Sequence, residues 1–110
     1  MNLIVVPDLH QILVMIAEPR LDAAVATSFK DRMREIVSTS RKTVLLDLQR
    51  VDFMDSSGLG AMIAIHKAMP DGIPLVLRGL TPNVERVFRL TRMDSVFNIT
   101  TAPDQAREAG

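Results

Sequence analysis

Between residues 52 and 60 the chain reads Asp52-Phe53-Met54-Asp55-Ser56-Ser57-Gly58-Leu59-Gly60, with hydroxyls, carboxylates and glycines crowded between two apolar segments. Two adjacent serines lie beside Asp52 and Asp55, and a hydroxyl in that place could carry a phosphoryl group. The stretch follows an expected strand and opens an expected helix. The first amides of a helix are unpaired and carry the positive end of its dipole, so a phosphate on a serine there is tolerated. Gly58 and Gly60 remove side-chain bulk, which lets a partner's backbone or a nucleotide come close. A plainer role fits the same residues: Ser56 or Ser57 caps the helix, and the glycines only allow tight packing. The residues alone leave both readings open.

Other chemistries find little support. The chain has no cysteine, which excludes disulfides, thiolate nucleophiles and Cys-ligated metals. His10 and His66 are the only histidines and have no ligand-like spacing. His66 is expected on the solvent side of its helix. No G-x-S-x-G elbow surrounds Ser56, and no phosphate loop of the Walker type is present. No catalytic residue, cofactor or metal is expected, and the chain reads as a binding protein, not an enzyme.

The elements that must position the serines follow from the apolar pattern. Leu3 to Val6 and Gln11 to Ala17 are short, partly β-branched runs around Pro7-Asp8, and predict a hairpin. Asp22 is expected to cap a first helix, in which Val25, Phe29, Met33, Ile36 and Val37 share one face. Thr43 to Leu48 and Ile73 to Arg78 are apolar with little alternation. Both are expected to be buried strands, the first central and covered on both sides. Leu59 to Met69 predicts a second helix, apolar almost all round until His66-Lys67. Such a helix is either buried or used at an interface, with Met62 among its candidate contacts. Thr81-Pro82 opens a third helix, with Thr as the cap and Pro at the first helical position. Val96 to Thr100 predicts a last strand and Pro103 to Ala109 a terminal helix. Strands alternating with helices imply a mainly parallel sheet, and the hairpin adds an antiparallel piece.

Composition bounds the partners. The 110 residues fit one domain, and 47% hydrophobic with 24% charged residues argues against disorder. Thirteen basic residues balance thirteen acidic ones, which disfavours nucleic acid and a polybasic membrane anchor. Trp and Tyr are absent, so stacking on bases is poorly supported. No apolar run approaches the ~18 residues of a membrane span, and Met1-Asn2-Leu3-Ile4 lacks a basic leader. A cytoplasmic protein is the expectation.

Val51-Asp52-Phe53-Met54-Asp55-Ser56-Ser57-Gly58-Leu59-Gly60 resembles the signature of STAS-domain anti-sigma factor antagonists, in which an Asp-Ser-[Ser/Thr]-Gly-Leu-Gly turn begins the second helix. Leu21-Asp22, Thr81-Pro82-Asn83-Val84 and Val87-Phe88 extend the likeness over nearly the whole chain. Pro19-Arg20 departs from it, since the family usually has Gly-Glu there. The resemblance implies an α/β fold: a single STAS domain over residues 1–110, with a mixed, mainly parallel sheet of about five strands and helices on one face.

The resemblance also implies a function. Ser56 is the position phosphorylated in the family. Asp22, Asp55, Ser56, Ser57, Gly58, Leu59, Gly60 and Met62 are the expected partner-binding residues. The expected partners are an anti-sigma factor serine kinase that binds ATP and a protein phosphatase that dephosphorylates Ser56. Unphosphorylated chain would sequester the kinase, and phosphate would end the complex. The alternatives are a STAS accessory subunit of a lipid or anion transporter and a nucleotide-binding STAS sensor.

Overall fold

Leu3–Pro7 (β1) and Gln11–Ile16 (β2) pair antiparallel, with Val5 opposite Val14. Pro7 has no amide hydrogen and ends β1, and Asp8 N donates to Gln11 O across the turn at 3.0 Å. The chain then runs through Arg20–Leu21 (β3), the helix Ala26–Ser40 (α1), Thr43–Asp47 (β4), Phe53–Met54 (β5), the helix Ser56–Ala68 (α2), Leu75–Arg78 (β6), the helix Pro82–Leu90 (α3), a 3₁₀ turn at Met93–Ser95 and Asn98–Thr100 (β7). These elements come from a computed structural model that describes residues 1–101. The expected terminal helix, Pro103 to Ala109, lies outside the described residues.

Five strands form one sheet in the order β1-β2-β4-β6-β7. Only β1 runs antiparallel, and the three remaining junctions are parallel, as the helical crossovers require. The α/β class and the five-stranded, mostly parallel sheet expected from the sequence are found. One face carries Ile12, Val14, Ile16, Val44, Leu46, Leu75 and Leu77, all buried. Against it lie Phe29, Met33 and Val37 of α1, Leu59, Met62 and Ile65 of α2, and Val84 and Phe88 of α3, in one apolar cluster.

The central strand departs from its expected environment. Val44 and Leu46 are buried, but Leu45 between them is only half-buried, as are Leu13, Met15 and Val76. The sheet is therefore not covered equally on both sides. Apolar side chains on the second face shield one another, which hides the alternation in the sequence.

Three further expectations change. Asp22 does not cap α1. Its carbonyl accepts Val25 N (3.1 Å) and Ala26 N (2.9 Å), and its Oδ1 accepts Ala24 N (3.1 Å), so it builds a turn one step before the helix. Thr81 precedes α3 and Pro82 opens it, as expected, but the Thr81 hydroxyl caps nothing. It donates instead to Val51 O at 2.6 Å, a long-range bond that the sequence does not announce. The two-residue strands β3 and β5 form a separate parallel pair, Arg20 beside Phe53 and Leu21 beside Met54, too short for any periodicity to reveal.

Among the described residues Asp47 is the one buried charged side chain, at 2% exposure. Its carboxylate accepts Gln49 N (2.9 Å), Gln49 Nε2 (2.8 Å) and Arg78 Nε (2.9 Å). The group clamps β4 to β6 and fixes the loop that leads to β5. Asp47→Ala would strand the Arg78 guanidinium. It should lower the unfolding free energy by about 3–5 kcal/mol, as measured in urea. Glu85→Ala removes an ion pair whose side chains are 63% and 61% exposed, and should change stability by less than about 0.5 kcal/mol.

Candidate functional site

The stretch 52–60 leaves the sheet after β4, pairs briefly as β5 and turns into α2. Its path is set by backbone bonds to the segment before α1. Pro19 O accepts Asp52 N (2.8 Å) and Phe53 N (3.2 Å), and Leu21 O accepts Asp55 N (3.4 Å). The Thr81 bond to Val51 O holds the same stretch from the α3 side. Leu21 of β3 and Met54 of β5 are buried, so the two strands are anchored in the core and display Arg20 and Phe53 on their outer side.

Asp55 takes the capping role. Its Oδ1 accepts Ser57 N (2.9 Å) and Gly58 N (3.0 Å) at the start of α2. Neither serine is therefore the cap, contrary to the plainer reading of the residue types. Ser56 is the first helical residue and is exposed, and among the described residues its hydroxyl makes no hydrogen bond. The Asp55 carboxylate is held by two amides at the positive end of the helix, which neutralises part of its charge. Asp52 is exposed nearby in sequence. Asp22 sits next to Leu21, with its Oδ2 3.2 Å from Arg20 Nε.

The two glycines do different work. A β-carbon on Gly58 would collide with the Leu21 carbonyl oxygen and lie 3.1 Å from Met54 Cγ. The missing side chain lets the first turn of α2 press directly on β3. Gly60 has nothing within 4 Å of where a β-carbon would be. It lines a cleft of about 240 Å³ between α1 and α2, with Ala26, Thr27, Lys30, Ser57, Ala61 and Ala64. The cleft opens beside Ser57 and carries a lysine, a feature that the sequence reading missed because α1 and α2 are brought together only by the fold.

The expected site residues thus divide. Asp22, Asp55, Ser56, Ser57 and Gly60 are brought to one side of the molecule around the start of α2. Gly58, Leu59 and Met62 are buried under it, and Met62 has no exposed surface. Met62 therefore supports the site from inside and does not face a partner. His66 is also placed differently from expectation. Its half-buried ring lies 4.9 Å from that of Phe97, which in turn meets Phe88 edge-on at 5.5 Å. Its Nδ1 is buried with no hydrogen-bond partner. Arg20 and Phe53, stacked on the outer side of β3 and β5, are site neighbours that residue spacing could not have joined.

A STAS-domain family model matches residues 4–106. The chain belongs to the STAS-domain family of anti-sigma factor antagonists. An anti-sigma-B factor antagonist of Listeria monocytogenes is 32% identical over 81 residues, which cover 72% of this chain and 70% of that protein. The crystal structure of an anti-sigma factor antagonist from Mycobacterium paratuberculosis superposes with a TM-score of 0.83 at 21% identity, over 98% of this STAS domain and 92% of that chain. The Bacillus cell fate determinant SpoIIAA in its phosphorylated form gives 0.70 at 15% identity, over 98% of both chains. At such identities the two superpositions speak for the STAS fold. No helix among the described residues is long and apolar enough to cross a membrane.

Gly58 and Gly60 should respond oppositely to alanine. Gly58→Ala meets a backbone carbonyl that cannot step aside, and should cost about 1–3 kcal/mol in denaturant unfolding. Gly60→Ala meets open space within a helix, and should be neutral or stabilising by up to about 1 kcal/mol.

Proposed function

We propose that this STAS domain is an anti-sigma factor antagonist controlled by phosphorylation of Ser56. The observation that carries the reading is the Asp55 cap: it satisfies the amides of Ser57 and Gly58 and leaves the Ser56 hydroxyl exposed on the first turn of α2. The named relative from Listeria supports the class of partner. In this reading the unphosphorylated chain offers Asp22, Asp55, Ser56, Ser57 and Gly60 to an ATP-binding anti-sigma factor kinase. The complex sequesters that kinase and releases its target.

The partner ends the complex by modifying it. Ser56 Oγ attacks the γ-phosphorus of the partner's ATP and gives its proton to a base of the partner's active site, while the bond from the γ-phosphorus to the bridging oxygen breaks and ADP leaves with that electron pair. The domain supplies only the acceptor, and no catalysis of its own is assigned to it. Phosphoserine adds about −1.5 to −2 charge at neutral pH, beside Asp52 and Asp55. The amides of α2 favour that charge and the carboxylates oppose it, so folding stability changes little. At an interface the same charge meets desolvation and like-charge contact, which cost affinity far more. A protein phosphatase would reset the switch, and the chemistry proposed takes place in the cytoplasm.

Mass spectrometry after incubation with the partner kinase and ATP should find phosphate on Ser56. Phosphate confined to Ser57 would refute the assignment. Ser56→Asp should melt within a few degrees of wild type and bind the kinase at least about 100-fold more weakly by calorimetry, while Ser56→Ala keeps both properties. Unaltered binding by authentic Ser56 phosphoprotein would sink the switch.

A further inference from the structure

Arg20 has no part in the switch just described, yet two neighbours hold its exposed side chain. Its guanidinium carbon lies 4.1 Å from the centre of the Phe53 ring. Its Nε donates to Asp22 Oδ2 at 3.2 Å. Asp22 is itself pinned, because its other oxygen accepts Ala24 N. Phe53 is fixed in turn by the bond from its amide to Pro19 O. Two supports thus hold the guanidinium, one from the ring face and one from the Nε edge. Among the described residues the two terminal amino groups of Arg20 donate no hydrogen bond. The stack is not covered: the Arg20 side chain is 59% exposed and Phe53 38%.

We propose that Arg20, poised over Phe53, selects the partner by binding a carboxylate on the partner's surface beside Ser56. The inference rests on the proposed function, since it names a chemical feature of the partner that docks on the same site. Geometry supplies the position. β3 and β5 pair Arg20 with Phe53, and Leu21 O holds Asp55 N, the residue before Ser56. A protein that reaches the Ser56 hydroxyl meets the Arg20 platform as well.

Chemistry supplies the occupant. A guanidinium presents a planar fork of donors that matches the two oxygens of a carboxylate, and it is the preferred cation for that contact at interfaces. Asp22 takes only the Nε edge, Asp55 Oδ1 is committed to the amides of α2, and among the described residues no ion pair joins Asp52 to Arg20, so the two terminal amino groups stay open. Ordering a long side chain before docking removes an entropy cost that binding otherwise bears. An Arg beside an aromatic ring is also the composition typical of residues that dominate interface energies. A basic group on a wrong partner would meet Arg20 as a like charge, so the same residue rejects as well as selects.

The test uses the purified kinase that modifies Ser56 and calorimetric titration of the full chain. Arg20→Glu should weaken binding by about 100-fold or more, and Arg20→Gln by about tenfold or more, because both lose the charged fork. Arg20→Lys keeps the charge but not the fork or the stack, and should fall between wild type and Arg20→Gln. All should melt within a few degrees of wild type, and Arg20→Gln decides the matter if Arg20→Glu unfolds through repulsion from Asp22. Conversion of the partner's surface acids to lysine, one at a time, should yield one variant that restores binding to Arg20→Glu. Binding of Arg20→Gln and Arg20→Glu within twofold of wild type, with Ser56 still phosphorylated, would overturn this inference alone. A wild-type chain that the kinase never phosphorylates on Ser56 would overturn the switch reading, and the inference with it.

Discussion

The first turn of α2 lies directly on the Leu21 carbonyl, and only a residue without a β-carbon at position 58 permits this. Everything distinctive about the site depends on that contact. It sets the depth at which α2 enters the domain, so that Leu59, Met62 and Ile65 reach the core. It brings β3 beside β5, which stacks Arg20 on Phe53 and places Asp22 next to the loop of Ser56. The Leu21 carbonyl meets both Gly58 and the Asp55 amide, so a single peptide group ties the entry of α1 to the entry of α2.

The electrostatics follow from the same arrangement. With α2 held in place, Asp55 is the side chain that can reach the free amides of its first turn, and it takes two of them. A capped helix start is stable without help from Ser56, so that residue can be changed chemically at little cost to the fold. This separates the two demands on the loop. The carboxylate maintains structure, and the adjacent hydroxyl remains available for regulation. The Asp47 clamp on Gln49 and Arg78 and the Thr81 bond to Val51 stiffen the approach to β5 from other directions.

Much of this was legible in the residues, unevenly and for physical reasons. Apolar side chains on both faces of β4 and β6, one face buried and the other half-buried, make unbroken apolar runs that gave away these strands, and apolar residues at helical spacing gave away α1. The loop of Ser56 stood out because two serines, two carboxylates and two glycines fall together where an apolar strand gives way to a helix. What escaped depended on contacts between distant segments. β3 and β5 have two residues each, and their partners lie more than thirty positions apart. Thr81 was read by local cap statistics, but a carbonyl at Val51 competes for its hydroxyl. Asp22 has the right residue type for a cap, and a turn claims it before the helix begins. Met62 was offered as a contact because α2 is apolar all round. The core takes Met62 and Ile65, while Ile63 and Ala64 on other sides are only half-covered. His66 followed its polarity to an expected solvent face, and the Phe97 ring claimed one side of it.

The central claim is that phosphate alters what the surface presents while the frame beneath it stays intact. Amide hydrogen exchange on the unmodified chain and on chain carrying phosphoserine at position 56 tests it directly. Changes should be confined to residues 20–24 and to the first turn of α2. Protection in β2, β4, β6 and the buried side of α1 should be the same in both forms. Loss of protection across β4 and β6 in the phosphorylated chain would show that the modification acts by loosening the domain, and would contradict the account.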